Sequence, residues 1–115
     1  MAVPEDQIGN PTLVDYLAEA SIRLVQQGTR GIVNVVGKDL LPRSEFAKAL
    51  ARVFGLDPAM IVPVPTASLK QRAQRPLRGG LRTDKLYGLL GAEAISLEEA
   101  LKRLRRRWWG DAQSA

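Results

Sequence analysis

The residues best suited to chemistry are four cations grouped around a proline and two glycines. They lie in the stretch RPLRGGLRTDKL, residues 75–86, and are Arg75, Arg78, Arg82 and Lys85. Arginine guanidinium groups match phosphate oxygens bidentately, and glycines let backbone N–H groups approach an anion. The stretch therefore predicts a clamp for a diphosphate, although residue chemistry alone favours the simpler interpretation of a solvated, disordered basic loop.

A second basic run, KRLRRRWW, places five cations from Lys102 to Arg107, ahead of two tryptophans. Such a run could bind nucleic acid or an anionic membrane surface. We favour a structural interpretation, because cations at the end of a helix offset its dipole and the leucine stripe of the predicted helix is needed for packing. The run is also short, and no second basic segment completes a known nucleic-acid motif.

The absence of cysteine and histidine excludes most catalytic constellations, including thiol nucleophiles, imidazole bases and thiolate or imidazole metal sites. The carboxylates near predicted helix starts are interpreted as caps and dipole partners: Asp15, Glu19, Glu98 and Glu99. Neither Tyr16 nor Tyr87 has a lysine four residues downstream, and no G-x-G-x-x-G or G-x-x-x-x-G-K-[ST] motif is present. The sequence thus identifies no catalytic residue, no metal ligand and no cofactor-binding motif.

Length and composition fit one small domain, which we expect to span residues 1–110 before a disordered tail, residues 111–115. The net charge of +5 favours an anionic partner. No apolar run approaches the ~20 residues that span a bilayer, and the N-terminus MAVPEDQIGN has no basic region followed by an apolar stretch. We therefore expect a cytoplasmic protein without a membrane span.

Apolar periodicity predicts several helices that would position these residues. The first runs from Leu13 to Gln27, with Thr12 as its N-cap and Gly28 at its end. The last begins at Ser96, whose hydroxyl forms a capping box with Glu99. Its apolar stripe is Leu97, Leu101, Leu104 and Trp108. The other predicted helices are residues 42–54, with Pro42 at the first helical position and Gly55 at the end, and the short segments 66–71 and 83–90.

Only two segments have the composition of strands. The β-branched run GIVNVVG, residues 31–37, is typical of a strand buried on both faces, and the proline-containing residues 61–65 suit an edge strand at best. We predict an α/β fold of α+β-like character, with a small mixed sheet and about four helices. Either the sheet is small or its other strands lie outside this chain.

Four motifs in order resemble the C-terminal, substrate-binding part of the dTDP-4-dehydrorhamnose reductase branch of the extended short-chain dehydrogenase/reductase family. Residues 6–12, DQIGNPT, with Asp15, Leu17 and Ala18 beyond them, are similar to that branch's DQ-x-G-x-PT…DLA motif. The run GIVNVVG, followed by EFA at residues 45–47, is similar to its G-x-x-N-V-x-G strand and the helix after it.

The strongest match to the family is the loop of residues 75–86. Arg75 and Pro76, with Leu81, Thr83, Lys85 and Leu86, resemble the family's RP-x-x-S-x-LD-x-SKL, and the later LG and SLEEAL resemble its closing motif. Two positions depart from the pattern, because Gly79 replaces a serine and Arg82 replaces an aspartate. These departures make the loop more cationic than the family pattern.

The resemblance implies that Arg75 contacts the diphosphate of a nucleotide sugar, with dTDP-sugars as the first candidates. Arg78, Arg82, Asn10 and Thr12 are the further candidate substrate-binding residues. A complete enzyme of the family would use NAD(P)H, which its Rossmann half holds beside a Tyr-x-x-x-Lys pair. Because this chain has neither feature, we expect it to bind no cofactor and to have no reductase activity alone.

Three interpretations remain open. The chain is a fragment or split half of a sugar-nucleotide reductase, a stand-alone binding, regulatory or oligomerisation module, or a basic nucleic-acid or membrane-surface binder acting through residues 102–107. Without a Rossmann half, an apolar face of the first helix and the predicted strand should be exposed. We expect that half, or a second copy of the chain, to cover it.

Overall fold

A computed structural model describes residues 1–110 of the chain. They form two compact units: the first contains Met1–Gly9 and Leu40–Gly80, and the second contains Asn10–Asp39 and the described residues from Leu81 onward. In chain order the strands are β1 (Ala2–Pro4), β2 (Ile8–Gly9), β3 (Leu41–Pro42) and β4 (Val62–Val64), and the α-helices are α1 (Val14–Gln26), α2 (Arg43–Val53), α3 (Asp84–Leu90) and α4 (Leu97–Trp109). Two short 3₁₀ helices span Pro58–Met60 and Thr66–Leu69. The predicted α/β class, with small sheets and four α-helices across the described residues, is confirmed. The tail predicted at residues 111–115 lies outside that part of the chain.

The first unit contains two small sheets. β1 pairs with β4 in parallel, with Val3 opposite Pro63, and β2 pairs with β3 in antiparallel orientation. The edge-strand interpretation of residues 61–65 is therefore confirmed, although the sequence did not identify β1 as the partner. α2 follows β3 directly and buries Ala51. Pro42 lies at its N-cap, one position before the predicted one, and Gly55 follows the helix with φ +72.

The second unit is built on a small apolar core. Leu86 of α3 is 1% exposed and packs with Leu24 of α1 and with Ala94. The partly buried side chains around this core are Tyr16, Val33, Val35, Leu89 and Leu90. Full burial of one leucine side chain contributes about 1.5–3 kcal/mol, so this cluster is the main apolar anchor of α1 and α3 in the unit.

The strand predicted at residues 31–37 is wrong, because the segment forms no ladder. Val33 and Val35 pack on the core as a buried strand would, but Ile32 is 84% exposed. Within the described chain, the N–H and C=O groups of residues 33–36 make no hydrogen bond. The β-branched composition is that of a strand, but a strand also needs a neighbouring strand, and none of residues 1–110 supplies one.

Helix caps were predicted with mixed success. Thr12 is not the cap of α1: Leu13 holds that position without a side-chain hydrogen bond, and the Thr12 hydroxyl is used elsewhere. Ser96 caps α4 as predicted, since its hydroxyl accepts a hydrogen bond from the Glu99 N–H at 3.2 Å. The apolar stripe of α4 is only partly buried, because Leu101 is 4% exposed but Trp108 is 74% exposed. The helix predicted at residues 66–71 is shorter and of 3₁₀ type.

Candidate functional site

The basic segment, residues 71–80, is exposed at every residue but is not detached from the fold. The Ile8 N–H donates to the Leu77 carbonyl at 2.7 Å, and the Gly79 N–H donates to the Ile8 carbonyl at 2.9 Å. These two bonds lie on either side of Arg78, which forms a parallel bridge with Ile8. The backbone that carries Arg78 is therefore held by β2.

The start of the basic segment is held by the residue that precedes Ile8. Gln7 is 6% exposed, and its amide nitrogen donates to the Thr66 hydroxyl and to the Gln71 side-chain carbonyl, each at 3.2 Å. Asp6 accepts hydrogen bonds from the N–H of Thr66, at 2.9 Å, and from its hydroxyl. The Thr66 hydroxyl is the main reason that the pKa of Asp6 is lowered below its usual value. Neither Gln7 nor Thr66 was identified from the sequence as a functional residue, although Gln7 belongs to the DQ pair of the first motif.

The four cations of the loop differ in what they contact. Within residues 1–110, the guanidinium groups of Arg75 and Arg78 have no hydrogen bond or ion pair. Arg82 pairs with the carboxylate of Asp84, and Lys85 donates to the Ile32 carbonyl at 2.6 Å. The Arg82 pair is highly exposed on both sides, so it contributes little and can be exchanged for another anion.

The two glycines of the loop each lie against another residue of the first unit. The Gly79 N–H is already bonded to Ile8, so it is not available to a phosphate. A Cβ on Gly80 would lie 2.0 Å from Leu40 Cδ1, so a side chain there would require Leu40, which is 58% exposed, to change its rotamer. Of the four loop cations, Arg75 and Arg78 are thus the two whose guanidinium groups have no partner within residues 1–110.

Asn10 and Thr12 lie in a polar network of the second unit. The Asn10 amide donates to the Gly37 carbonyl at 3.0 Å and accepts from the Leu81 N–H at 2.8 Å. The Thr12 hydroxyl donates to the Asn10 carbonyl at 2.9 Å and accepts from the Gly37 N–H at 3.1 Å. Both side chains thus tie the PT motif to Gly37. Arg75 and Arg78 belong to the first unit, whereas Asn10, Thr12 and Arg82 belong to the second.

Most of the positive charges in the basic run of α4 are paired with carboxylates of the second unit. Its ion pairs are Lys102 with Glu98, Arg103 with Glu19, Arg106 with Glu99 and Arg107 with Asp15. Arg105 stacks over the Trp109 ring, 5.5 Å from its centroid. Leu13, Val14, Leu104, Arg107 and Trp108 line a groove of about 370 Å³ beside these pairs. The carboxylates reduce the positive field that a nucleic acid would meet at this helix.

A metal site, a membrane span and a dinucleotide site each need a particular arrangement of residues. Across residues 1–110 the structure has no group of three or more acidic, cysteine or histidine side chains arranged to hold a metal ion. In the same part of the chain no helix is both long and apolar enough to cross a membrane. Neither parallel strand there leads through a glycine-rich turn into an α-helix, the arrangement that holds a dinucleotide pyrophosphate, so these residues do not fit NAD(P)H.

Comparison with known proteins relates the chain to sugar-nucleotide enzymes. The family described as RmlD substrate binding domain matches residues 1–108. The spore coat polysaccharide biosynthesis protein SpsK of Bacillus subtilis is 35% identical over 112 residues, which are 97% of this chain and 34% of that protein. The dTDP-4-dehydrorhamnose reductase of Mycobacterium tuberculosis is 35% identical over 74 residues, which are 64% of this chain and 24% of the enzyme.

A solved structure agrees with these relatives. The dTDP-4-dehydrorhamnose reductase of Bacillus anthracis, determined in complex with NADP, superposes with a TM-score of 0.79 at 27% identity, over 90% of this chain and 36% of that one. This chain therefore spans roughly a quarter to a third of the curated relatives and about a third of the solved one. Since the family match extends over nearly every described residue, the chain belongs to the RmlD substrate binding domain family.

Proposed function

We propose that this chain binds a nucleotide sugar through its diphosphate, as the substrate-binding part of a dTDP-4-dehydrorhamnose reductase-like enzyme. The observation that carries the proposal is the state of Arg75 and Arg78, whose guanidinium groups have no partner among residues 1–110, although β2 holds the backbone around Arg78 and Arg75 lies three residues before it. An arginine that is neither ion-paired nor on a free chain end loses little on binding an anion. Arg82, Asn10 and Thr12 are retained as secondary candidates.

In this proposal the chain selects and orients the substrate, and it does not carry out the reduction. Hydride transfer to a keto sugar needs a held nicotinamide and a proton donor. No Tyr-x-x-x-Lys pair is present in the sequence, and the described residues do not fit a dinucleotide. We assign NAD(P)H binding and the proton donor to a Rossmann half, and we expect no reductase activity from this chain alone.

The nucleotide proposal is tested by calorimetric titration with dTDP, dTDP-rhamnose and UDP-glucose. Thymidine, which lacks phosphate, is the matched ligand control, and Arg75→Ala is the matched protein control. Binding of dTDP but not of thymidine, weakened but still measurable in the variant because Arg78 remains, is the expected result. Equal binding by wild type and Arg75→Ala would show that the diphosphate is held elsewhere, and the absence of binding at millimolar dTDP would reject the proposal for the chain alone.

A specific observation also supports a protein partner. The backbone groups of residues 33–36 are unpaired within the described chain, so the segment could accept a strand beside it. In the same unit, apolar side chains of α1 are also exposed: Val14, Leu17, Ile22 and Val25 are between 40% and 77% exposed. Surfaces of this kind are normally covered. We propose that a Rossmann half covers them in a complete enzyme, and that a second copy of the chain does so when the chain is alone.

Sedimentation equilibrium tests the second of these arrangements. Ile32→Lys places a charge at the proposed edge, where lysine blocks strand pairing. Leu56→Lys is the matched control, because Leu56 is also an exposed apolar residue, at 57%, but lies in the first unit. We expect self-association that Ile32→Lys weakens and Leu56→Lys does not. A wild-type chain that stays monomeric at high concentration would refute self-association.

A further inference from the structure

We propose that Asp6, Gln7, Thr66 and Gln71 form a latch that sets the position of the phosphate-binding arginines. This inference rests on the proposed function, since it explains how Arg75 and Arg78 would be presented to a nucleotide diphosphate. The latch residues touch no candidate ligand themselves. They act as positioning residues, by fixing the point at which the basic segment leaves the folded part of the first unit.

Gln7 is the centre of the latch. Both of its amide hydrogens are used, one for the Thr66 hydroxyl and one for the Gln71 side-chain carbonyl. Its backbone carbonyl accepts the Arg43 N–H at 2.9 Å, where α2 begins. Because the side chain is 6% exposed and bonded at both of its donors, it has no alternative partner in solvent. Gln7 is therefore fixed with respect to α2 and fixes Gln71 in turn.

Thr66 gives the latch a direction. Its hydroxyl accepts from Gln7 and donates to the Asp6 carboxylate, and only a hydroxyl can do both at one atom. The Thr66 N–H also donates to Asp6, so the carboxylate holds this residue through two bonds. A bond to an ionised acceptor is shorter and stronger than a neutral one, and the lowered pKa of Asp6 is consistent with such an arrangement.

The latch and the two backbone hydrogen bonds of Ile8 together fix both ends of a short loop. Gln7 holds Gln71, and the next residue, Ile8, holds Leu77 and Gly79. Residues 72–76 therefore run between two anchored points, and Arg75 lies inside this interval. If Gln7 lost its bonds to both Thr66 and Gln71, the free stretch would extend over residues 66–76, about twice the length, whereas loss of the Thr66 hydroxyl alone leaves the Gln7–Gln71 bond in place. Doubling the length of a loop adds an entropic cost that lowers the population of any one loop geometry about threefold.

The experiment compares Thr66→Val with Thr66→Ser. Valine keeps the shape and removes the hydroxyl, whereas serine keeps the hydroxyl and serves as the conservative rescue. In each protein, ¹⁵N relaxation measures the order of residues 72–76 without any ligand, and calorimetry measures dTDP affinity in the presence and absence of Arg75→Ala. Thermal unfolding checks that each variant is folded.

We expect Thr66→Val to lower the order of residues 72–76 and to weaken dTDP binding by up to about threefold, the value for complete release of both anchors, and Thr66→Ser to restore both. The loss of affinity should disappear in the Arg75→Ala background, since a positioning residue acts only through the group that it positions. Unchanged order in a folded Thr66→Val protein would overturn the latch whatever the binding. A loss of affinity that persists without Arg75 would overturn its link to that arginine. If the wild-type chain binds no dTDP, the nucleotide proposal fails, while the order measurement still decides whether the latch exists.

Discussion

Replacing Gly37 by alanine tests the packing around the second motif. Gly37 is buried, and a Cβ at this position would lie 2.2 Å from the backbone oxygen of Pro11, whereas ordinary contacts begin near 3.4 Å. The obstacle is main chain of a proline, so no side-chain rotation can relieve it. One of the two backbones must move by about an ångström.

The movement would also disturb the hydrogen bonds on either side of Gly37. Its carbonyl accepts from the Asn10 amide at 3.0 Å, and its N–H donates to the Thr12 hydroxyl at 3.1 Å. Overpacking costs about 1–3 kcal/mol, and each weakened hydrogen bond costs about 0.5–1.5 kcal/mol. Because the two effects overlap, we expect Gly37→Ala to lower the free energy of unfolding by about 2–5 kcal/mol, a large part of the total for a small domain.

Urea unfolding followed by circular dichroism measures this change, with Gly88→Ala as the control. Gly88 lies inside α3, and a Cβ there would meet nothing within 4 Å. Alanine is the better helix former by about 0.8–1 kcal/mol, so this variant should be more stable than wild type. Opposite signs for the two substitutions are the expected result. A Gly37→Ala protein within 0.5 kcal/mol of wild type would refute the close approach of Pro11.

Two other predictions follow from burial and charge. Leu86→Ala should lower the free energy of unfolding by about 2–5 kcal/mol, because Leu86 is 1% exposed at the centre of the second unit's core. Leu81 is 43% exposed, so Leu81→Ala should change the free energy of unfolding by less than about 0.5 kcal/mol in the same urea titration. The lowered pKa of Asp6 means that its carboxylate stabilises the fold above the ordinary pKa of about 3.9 and that this contribution is lost as the pH falls through the lower, folded-state value. A series of urea titrations from about pH 6 to about pH 2 should therefore show a shallower acid loss for Asp6→Asn than for wild type, and parallel curves would contradict the assigned contact.

The sequence predicted the local features of the fold well because these depend on neighbouring residues. The 3.6-residue spacing predicted α1 and α4, and Ser96 lies at the N-cap of α4 as expected, although the Glu99 carboxylate of the predicted capping box pairs with Arg106. The prolines correctly limited β4 to an edge position. Each of these features is decided within a few residues of the chain.

The features that failed depend on distant parts of the chain. Residues 31–37 have strand composition, but a strand exists only with a partner, and the described chain provides none. Thr12 has the right type and spacing for an N-cap, but its hydroxyl is bonded to Asn10 and Gly37 instead. The β1 partner of β4 is about 60 residues away in sequence, so no local pattern could indicate it.

The candidate site shows the same division. Arg75 and Arg78 were identified from residue type and from the resemblance, and the structure leaves both guanidinium groups without partners among residues 1–110. The pairing of Arg82 with Asp84 was not predicted, although the two residues are close in sequence. The contacts of Gln7 with Thr66 and Gln71 join residues that are 59 and 64 positions apart, and only the folded chain reveals them.

The most direct test of the central claim is to map where a nucleotide diphosphate contacts the folded chain. We would record ¹H–¹⁵N spectra, including the arginine side-chain Nε resonances, during titration with dTDP. We predict that the largest shifts arise from the side chains of Arg75 and Arg78 and from the backbone of residues 75–78. Shifts concentrated in α4, at residues 102–107, or no shifts at millimolar dTDP, would contradict it.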